Sequence, residues 1–383
     1  MFKHVIIGAG FAGSVIAERI ASQLNEKVLI IEKRNHIGGN AFDSYDENGV
    51  LIHNYGPHIF HTKMKEVWEY LSDFTEWNYY HHHVLGIIDG KRVPIPFNIN
   101  TLYEVFPDSL ASRLEEKLIA QFGYNVKVPI LKLREVEDED LKYLADYVYK
   151  KVFLGYTLKQ WGIKPEDLDP SVTGRVPVYI SKDDRYFQDP YQGMPKHGYT
   201  KIFENMLDNP NIKIMLNTDY KDVMDFDFKN NKVKLFGQDF TGKVIYTGPI
   251  DYFFNYEYGE LPYRSLRFEF ENIKQESYQE VGTVNYPNDY HFTRITEFKH
   301  LTNQEANTTT IVKEISQSHI PEKTTPYYPI KNDENIDKYQ QYKKLAREVE
   351  GLILIGRLAE YQYYDMDMVV AKALKTFREK IQK

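Results

Sequence analysis

Three glycines follow the first run of β-branched residues, at a spacing typical of a turn that binds a dinucleotide. The stretch VIIGAGFAG, residues 5–13, places Gly8, Gly10 and Gly13 in a G-x-G-x-x-G pattern. The first glycine allows a tight turn, the second lets the backbone approach a pyrophosphate, and the third lets helix and strand pack closely. Glu32 follows at the distance where a carboxylate accepts hydrogen bonds from a ribose. The pattern predicts a nucleotide site.

The elements around these glycines have the order that such a site requires. Residues 3–7 predict a strand, residues 14–24 repeat apolar positions at helical spacing, and residues 27–31 predict a second strand. Near the other end of the chain come a strand, a turn at Gly356 and a helix that begins around residues 365–368. A helix N-terminus there can stabilise negative charge on a cofactor ring. Two such turns predict one nucleotide-binding domain that is interrupted by insertions.

A second glycine pair favours FAD over NAD. Gly38 and Gly39 lie in EKRNHIGGNA, residues 32–41, just after the ribose-binding acid. This extension resembles the FAD-binding domain of the large flavoprotein group that includes amine oxidases. We therefore expect FAD as the cofactor.

The insertions differ from this domain in their patterns. Residues 97–161 are helical and strongly charged, residues 173–198 are polar, and residues 263–328 alternate as strands do. The predicted fold class is α/β, a Rossmann-like FAD-binding domain with an inserted helical bundle and an antiparallel β-sheet domain. The expected limits are 1–83, about 199–258 and 340–383 for the FAD-binding domain, about 97–165 for the bundle, and about 84–96, 171–198 and 262–330 for the sheet domain, with a mobile lid at 173–198.

The composition excludes several classes of function. A net charge of -7 argues against a nucleic-acid surface, and the absence of cysteine removes disulfides and thiolate nucleophiles. We expect a cytoplasmic protein, because the sequence has neither a membrane span nor a signal peptide pattern. The 31 tyrosines are unusual, and tyrosine joins an apolar ring to a hydroxyl that reaches polar ligands.

Short motifs along nearly the whole chain resemble those of the bacterial UDP-galactopyranose mutase family. They are NHIGGNA, YGPHIFHT, GYTLKQW, GRVPV, RYFQDPYQGMP, YTGPIDYFF, YRSLRFE and GRLAEYQYYDMD. The resemblance implies an isomerase that interconverts UDP-galactopyranose and UDP-galactofuranose with FAD in its reduced form and no net redox change. In such enzymes the flavin N5 attacks the anomeric carbon and expels UDP, so the protein mainly supplies position and charge. The resemblance also implies a homodimer that serves a cell-wall or capsule polysaccharide.

The same resemblance assigns residues to the substrate. Arg175 and Arg294 match the family's two diphosphate arginines, whose forked guanidiniums stabilise a departing diphosphate. Tyr156 and Trp161 match positions that hold the uridine by stacking, and Phe153 shares the face of Tyr156. The further substrate residues that it implies are Tyr186, Tyr328 and either Tyr363 or Tyr364 as phosphate donors, Asp365 as an acid near the site or a helix cap, and Arg264 as a flavin or loop-positioning residue.

The resemblance places His58 near the flavin ring as a catalytic residue, where it favours galactose over N-acetylgalactosamine. The cofactor-binding residues predicted from the two turns and from the resemblance are Gly8, Gly10, Phe11, Ala12, Gly13, Glu32, Lys33, Gly38, Gly39, Asn40, His58, Gly248, Gly356, Arg357, Asp365, Met366 and Met368. No metal site is predicted, because the three histidines of YYHHHV alternate faces in an extended segment.

Three alternatives stay open at this point. They are a related mutase for UDP-N-acetylgalactosamine, a flavin amine oxidase or desaturase, and a noncatalytic flavin-dependent scaffold or redox sensor. The FAD domain alone does not separate an oxidase from a mutase. The set of Tyr156, Trp161, Arg175 and Arg294 does, because it suits a nucleotide diphosphate and not an amine.

Overall fold

The computed structural model describes residues 2–162, 164 and 177–382, and a parallel sheet lies at its centre. This nucleotide sheet has five strands, in the order Ile212–Met215, Val28–Ile31, His4–Ile7, Lys243–Tyr246 and Leu352–Leu354. Every neighbouring pair is parallel. Its two central N-terminal strands are buried at every position, as parallel strands covered on both faces require. The predicted strands from both ends of the chain thus belong to one sheet.

Helices cover both faces of the nucleotide sheet, because the strand side chains alternate between the faces. Ile6 and Ile30 belong to the apolar cluster on one face, and Val5 and Leu29 to the cluster on the other. The first cluster includes helices Phe11–Arg19, Tyr199–Leu207 and Met366–Thr376, and the second includes Ile250–Phe253 and Asp333–Glu348. The helix predicted at 14–24 begins earlier, at Phe11, and ends in a π-helical turn over Ile20–Leu24.

A second sheet, here called the substrate sheet, has seven strands. Their order is Tyr328–Pro329, Tyr263–Ile273, Thr309–Ser318, Arg294–Glu297, Thr283–Asn285, Val84–Ile88 and Lys91–Ile95. Five of its neighbouring pairs are antiparallel, but Thr283–Asn285 pairs with Val84–Ile88 in parallel. The predicted antiparallel sheet therefore contains one parallel pair, which alternation does not reveal because it identifies strands without identifying their neighbours.

Helices dominate the insertion between the two parts of the substrate sheet, as predicted. They are Ile99–Val105, Asp108–Phe122, Ile130–Leu133, Glu139–Val148 and Gly155–Trp161, with a π-helical stretch Tyr149–Leu154 between the last two. Asp138 caps helix Glu139–Val148 by accepting hydrogen bonds from the backbone N–H groups of Asp140 and Leu141. The π-helical stretch changes the direction of the side chains that follow, a distortion often found at functional sites.

The segment predicted as a mobile lid, residues 173–198, is built into sheets over much of its described part. Val178–Ile180 pairs with Val126–Val128, and Tyr191–Pro195 is the central strand between Phe60–Thr62 and Trp77–Tyr79. The lid prediction is wrong for these strands, because backbone pairing can order a segment whose composition is typical of loops. Residues 173–176 lie outside the described residues.

The remaining elements are small. They are the strand pair Asp43–Tyr45 and Leu51–His53, the strands Met224–Asp227, Lys232–Leu235 and Gln238–Asp239, the helices Lys65–Ser72 and Phe298–Thr302, the short turns of helix Gly39–Ala41 and Tyr220–Asp222, and the π-helical end Phe377–Ile381. In the described ranges, none of the helices combines the length and apolar character of a membrane span. The domain limits given above stay a prediction.

Candidate active site

The glycine-rich turn lines a cavity at the carboxyl ends of the parallel strands, here called the cofactor cavity. Helix Phe11–Arg19 begins after Gly10, whose position offers no side-chain cap, so the first N–H groups of the helix are available to an anion. A Cβ added to Gly8 would lie 2.0 Å from Thr247 Oγ1, and one added to Gly13 would lie 2.1 Å from the Gly8 oxygen. Only glycine fits this cradle, which suits a pyrophosphate in contact with backbone.

Glu32 closes the cofactor cavity at the end of its strand, where the sequence predicts a ribose-binding acid. The backbone N–H groups of Ala9 and Arg34 each donate a hydrogen bond of 2.9 Å to its carboxylate. These two bonds fix the carboxylate beside the glycine turn. The cradle and the fixed acid together fit the ADP half of a dinucleotide.

A second cavity, here called the substrate cavity, shares one wall with the cofactor cavity. The residues that line both are Asn40, His58, Tyr327, Arg357 and Met366. Met366 is the first residue of helix Met366–Thr376, so the shared wall lies at a helix N-terminus, as predicted. Asp365 precedes it at the cap position, yet its side chain makes no capping hydrogen bond and lines the substrate cavity. The structure therefore favours the reading of Asp365 as a site residue.

The register of the substrate sheet builds the opposite wall. Gly86, Asn285, Arg294 and Glu314 form a row across four neighbouring strands, because each is the direct partner of the next. Residues opposite one another on paired strands point to the same face. All four line the substrate cavity.

Arg294 and Glu314 form a buried ion pair within this row. Arg294 Nε and Nη2 donate to one oxygen of Glu314, at 2.9 and 2.7 Å. The side chain of Glu314 is 1% exposed and that of Arg294 is 26% exposed. Burial opposes the charge on Arg294, but the attraction of Glu314 outweighs it and raises the pKa of Arg294 above its ordinary value. Glu314 thus holds the guanidinium charged and oriented, with part of it open to the cavity.

Aromatic side chains from the helical insertion and the C-terminal region surround the rest of the substrate cavity. Phe153 lines it from the π-helical stretch Tyr149–Leu154, and Tyr156 and Trp161 line it from helix Gly155–Trp161. The rings of Tyr328 and Tyr363 stack with centroids 5.5 Å apart, and Trp161 lies 5.7 Å from Tyr328. The flat rings of Tyr156 and Trp161 suit a nucleotide base at this end of the cavity.

Two buried histidines, His53 and His82, and the half-buried His58 are held neutral near the cavities. Burial lowers the pKa of His53, His58 and His82 to about 3 in each case. His58 Nδ1 lies 2.7 Å from the Gly56 carbonyl, which only accepts, so this nitrogen carries the proton and Nε2 is an acceptor. His58 therefore offers a lone pair, and no charge, at the shared wall.

Comparison with known proteins decides the family. The family model described as UDP-galactopyranose mutase matches residues 151–363. A protein from Klebsiella pneumoniae named probable UDP-galactopyranose mutase is 36% identical to this chain, over 98% of this chain and 94% of the relative. The chain belongs to the UDP-galactopyranose mutase family.

Other comparisons agree with membership of the UDP-galactopyranose mutase family. A UDP-galactopyranose mutase of Mycoplasma pneumoniae is 35% identical over 100% of this chain and 96% of the relative. A protein named dTDP-fucopyranose mutase, from Escherichia coli, is 35% identical over 98% of this chain and 97% of the relative. The model of an NAD(P)-binding Rossmann-like domain matches residues 6–74.

Solved structures show the same fold. A crystal structure of reduced UDP-galactopyranose mutase matches with a TM-score of 0.73 and 15% identity, over 98% of this chain and 93% of the other. Putrescine oxidase bound to putrescine matches with a TM-score of 0.56 and 13% identity, over 100% and 99% of the two chains. FAD is the cofactor, and the glycine cradle and Glu32 fit it.

Most residues predicted for this mutase-family site line one of the two cavities. The substrate cavity contains His58, Phe153, Tyr156, Trp161, Tyr186, Arg294, Tyr328, Tyr363 and Asp365. The cofactor cavity contains Gly8, Gly10, Phe11, Ala12, Glu32, Lys33, Gly38, Gly39, Asn40, His58, Gly248, Gly356, Arg357 and Met366. The register left open between Tyr363 and Tyr364 favours Tyr363, since Tyr364 lines the cofactor cavity.

Two predicted cofactor residues line neither cavity, one predicted residue is not described, and one lines only the substrate cavity. Gly13 lies beneath the cradle, where its missing Cβ lets the helix pack on the strand. Met368 is 48% exposed and lines neither cavity. It lies two residues after Met366 in the same helix and therefore faces another side. Arg175 lies outside the described residues. Asp365 lines the substrate cavity rather than the cofactor cavity.

Arg264 needs a correction as well, because it lines neither cavity. Its Nε donates to the Gln160 carbonyl at 2.9 Å and its Nη2 to the Lys159 carbonyl at 3.3 Å. These carbonyls end the helix Gly155–Trp161, so the arginine caps the helix that carries Trp161. The assignment as a substrate-binding residue is wrong, while a positioning role agrees with the contacts.

Glu314, Asn285 and His82 are among the residues of the substrate cavity that sequence reasoning missed. Glu314 and Asn285 enter it only through strand register, for which the sequence carries no local signal. His82, from the discounted run YYHHHV, is 4% exposed and lines the cavity. Its Nδ1 lies 3.0 Å from the Tyr80 hydroxyl. The alternation of the run was the available signal, because it predicts that the middle histidine faces away from its neighbours.

The buried histidines predict a loss of stability in acid. Below the ordinary value of 6.5 the unfolded chain takes up protons that folded His53, His58 and His82 do not bind, so stability falls as pH drops from 6.5 towards 3. The backbone N–H of His58 donates to His53 Nδ1 at 2.9 Å, and replacing His53 by Gln keeps an acceptor for it. The free energy of unfolding is measured in urea between pH 7.5 and 5. His53→Gln should reduce its slope against pH by up to about 1.4 kcal/mol per pH unit. Equal slopes in the two proteins would contradict the assignment.

Proposed function

We propose that this protein interconverts UDP-galactopyranose and UDP-galactofuranose, with FAD in the reduced form. The observation that carries the proposal is that a cavity with an aromatic end and a half-buried arginine shares a wall with the cofactor cavity. The shared wall contains His58, Arg357 and Met366. A nucleotide sugar held there places its hexose against the cofactor, since its diphosphate and its base occupy the rest of the cavity.

Arg294 binds the diphosphate in this proposal. Breaking the bond between the anomeric carbon and the diphosphate moves negative charge onto the leaving oxygen, and a charged donor fixed in advance stabilises that charge. Glu314 fixes the orientation of the Arg294 guanidinium, because two of its N–H groups donate to Glu314. The remaining N–H groups are left for the ligand. Arg175 is proposed as the second diphosphate arginine on the family resemblance alone.

Tyrosine hydroxyls add neutral donors around the same diphosphate. Tyr186, Tyr328 and Tyr363 line the cavity. Burial raises the pKa of Tyr328 above its ordinary value, so its hydroxyl keeps its proton at neutral pH. Arg357 lies over the ring of Tyr363, with 4.9 Å between the guanidinium carbon and the ring centroid. This cation–π contact holds the tyrosine that faces the diphosphate.

The residues at the shared wall orient the sugar and the cofactor. When bound and reduced, FAD supplies a nucleophilic nitrogen for the anomeric carbon. His58 Nε2 accepts a hydrogen bond there, because its other nitrogen donates to Gly56. The N-terminus of helix Met366–Thr376 would favour negative charge on a cofactor ring held in the cofactor cavity. Gly8, Gly39 and Glu32 hold the other half of the cofactor.

The proposal is tested by the choice among nucleotide sugars. The holoenzyme, reduced under anaerobic conditions, is given UDP-galactose, UDP-N-acetylgalactosamine or dTDP-fucose, and ring contraction is followed by chromatography. We expect the largest kcat/KM with UDP-galactose. A larger value with dTDP-fucose would assign the protein the activity for which its Escherichia coli relative is named. Turnover of none of the three would contradict a mutase.

The setting of the enzyme is part of the same proposal. On the family resemblance we assign it to the cytoplasm, as a homodimer that supplies galactofuranose to a surface polysaccharide. UDP-galactose is its small-molecule partner. Related mutase activity on UDP-N-acetylgalactosamine is the second candidate, and the nucleotide-sugar panel separates the two.

A further inference from the structure

The side chain of Lys159 ends inside a ring of backbone carbonyls. Its Nζ donates to the carbonyl of Tyr286 and to those of Asn288, Tyr290 and Phe292 at 2.9, 3.0 and 3.2 Å. The four acceptors come from alternate residues of one loop, 286–293, here called the carbonyl loop. Partial burial lowers the pKa of Lys159 to about 8.

The two ends of the carbonyl loop are joined by a hydrogen bond, and the loop encloses the Lys159 ammonium. The backbone N–H of Tyr286 donates to the Thr293 carbonyl at 2.8 Å, so the two ends of the loop meet. Backbone carbonyls turned away from water need a donor. The three N–H groups of Lys159 are shared among four of them.

The loop ends beside residues of the substrate cavity. Asn285 comes just before it and Arg294 just after it, and both line the cavity. Lys159 itself lies on the helix Gly155–Trp161, here called the base helix, between Tyr156 and Trp161. The ammonium therefore joins the helix that carries the aromatic residues to the sheet that carries the arginine.

Two further contacts join the same loop to the base helix and to the π-helical stretch Tyr149–Leu154 that precedes it. Asn288 Nδ2 donates to the Lys151 carbonyl at 2.9 Å. A Cβ added to Gly155 would lie 2.5 Å from the Pro287 oxygen and 2.7 Å from Asn288 Oδ1, so the helix and the loop are in direct contact at this glycine. The contact surface has no spare room, and the ammonium lies one helical turn further along.

We propose that Lys159 is a positioning residue for the nucleotide, which sets the distance between the aromatic end of the substrate cavity and Arg294. The inference rests on the proposed function, because it concerns the base and diphosphate of the same substrate. Lys159 does not line the cavity, so it acts through Tyr156 and Trp161 on one side and through the carbonyl loop on the other. Arg264 caps the same helix from the substrate sheet, and the two cations hold the helix from different directions.

The test uses the holoenzyme and UDP as the probe. Lys159→Met keeps the length of the side chain and removes the charge. Lys150→Met is the matched control, since Lys150 is exposed on the π-helical stretch that precedes the base helix. We expect Lys159→Met to weaken UDP binding by about tenfold, to raise KM by a similar factor and to change kcat less. Hydrogen exchange of the amides in residues 286–293, measured without ligand, should be faster in Lys159→Met than in the control.

A second variant covers the case in which Lys159→Met does not fold. Gly155→Ala keeps the ammonium but forces the base helix and the carbonyl loop apart, and alanine favours the helix. It should also weaken UDP binding and speed exchange in the loop. Unchanged UDP affinity in the folded variants would overturn the proposal.

A chemical rescue separates positioning from general damage. In Lys159→Ala, n-propylammonium should restore UDP affinity because it can donate to the carbonyls, whereas tetramethylammonium at the same concentration should not. Any other pattern counts against the proposal. If wild-type protein binds no UDP, the proposed function fails. Unchanged hydrogen exchange of the carbonyl loop in Lys159→Met refutes only the positioning role of Lys159.

Discussion

Replacing Arg294 by alanine is expected to lower kcat/KM for UDP-galactose by about 10³-fold while the protein keeps its FAD. The change removes the charged donor that faces the leaving diphosphate, and it spares the glycine cradle in the other cavity. Steady-state kinetics with reduced enzyme measures the loss, and the flavin absorbance measures cofactor content. Arg267→Ala is the matched control, because Arg267 is an exposed arginine on another strand of the substrate sheet with its own partner, Glu269.

The same change leaves Glu314 as a buried carboxylate without its cation. Breaking a buried ion pair in this way destabilises a protein by about 3–5 kcal/mol. The double variant Arg294→Gln with Glu314→Gln removes both charges, so it should recover much of the stability and none of the activity. Activity close to wild type in the double variant would show that the charge of Arg294 is not used in catalysis.

Replacing Gly8 by alanine is expected to yield protein without flavin, with affinity for FAD at least about 100-fold lower. The backbone at Gly8 has a φ of +106°, and the added Cβ would meet Thr247 Oγ1 at 2.0 Å. Thr247 has no freedom to move away, because its hydroxyl donates to the Ile7 carbonyl at 2.8 Å. The turn must open, and it then no longer presents the N–H groups of helix Phe11–Arg19 to the pyrophosphate.

Gly49→Ala is the control for backbone strain alone. Gly49 also has a positive φ, +79°, but nothing lies within 4 Å of an added Cβ. Both variants carry a strain of about 1–2 kcal/mol, so a yellow Gly49→Ala and a colourless Gly8→Ala assign the effect to the cradle. Combining Gly8→Ala with Thr247→Ala should recover part of the flavin. A fully loaded Gly8→Ala protein would contradict the placement of the cofactor.

Local patterns predicted the cofactor half of the molecule well. The glycine spacing, the run of buried strand residues and the acid at Glu32 all depend on neighbours a few residues away, so the sequence displays them directly. The helix that begins at Met366 was predicted for the same reason, from a strand, a glycine turn and an amphipathic run in order.

Pairing between distant segments limited the prediction of the substrate half. Glu314 meets Arg294 because two strands align in one register out of several, and a slip by one residue would turn Glu314 to the other face. Arg264 carries the right charge for a phosphate, yet its strand position aims it at the end of a helix. Lys159 reads as an ordinary exposed helix lysine until the loop that encloses it is placed.

The central claim is tested most directly by the redox dependence of ring contraction. Purified yellow protein is incubated anaerobically with UDP-galactofuranose, with and without dithionite, and UDP-galactopyranose is followed by chromatography together with the flavin spectrum. We predict conversion only with reduced flavin, and a flavin that is still reduced at the end. Equal conversion with oxidised flavin, or no conversion together with reduction of the flavin by an amine, would contradict the account.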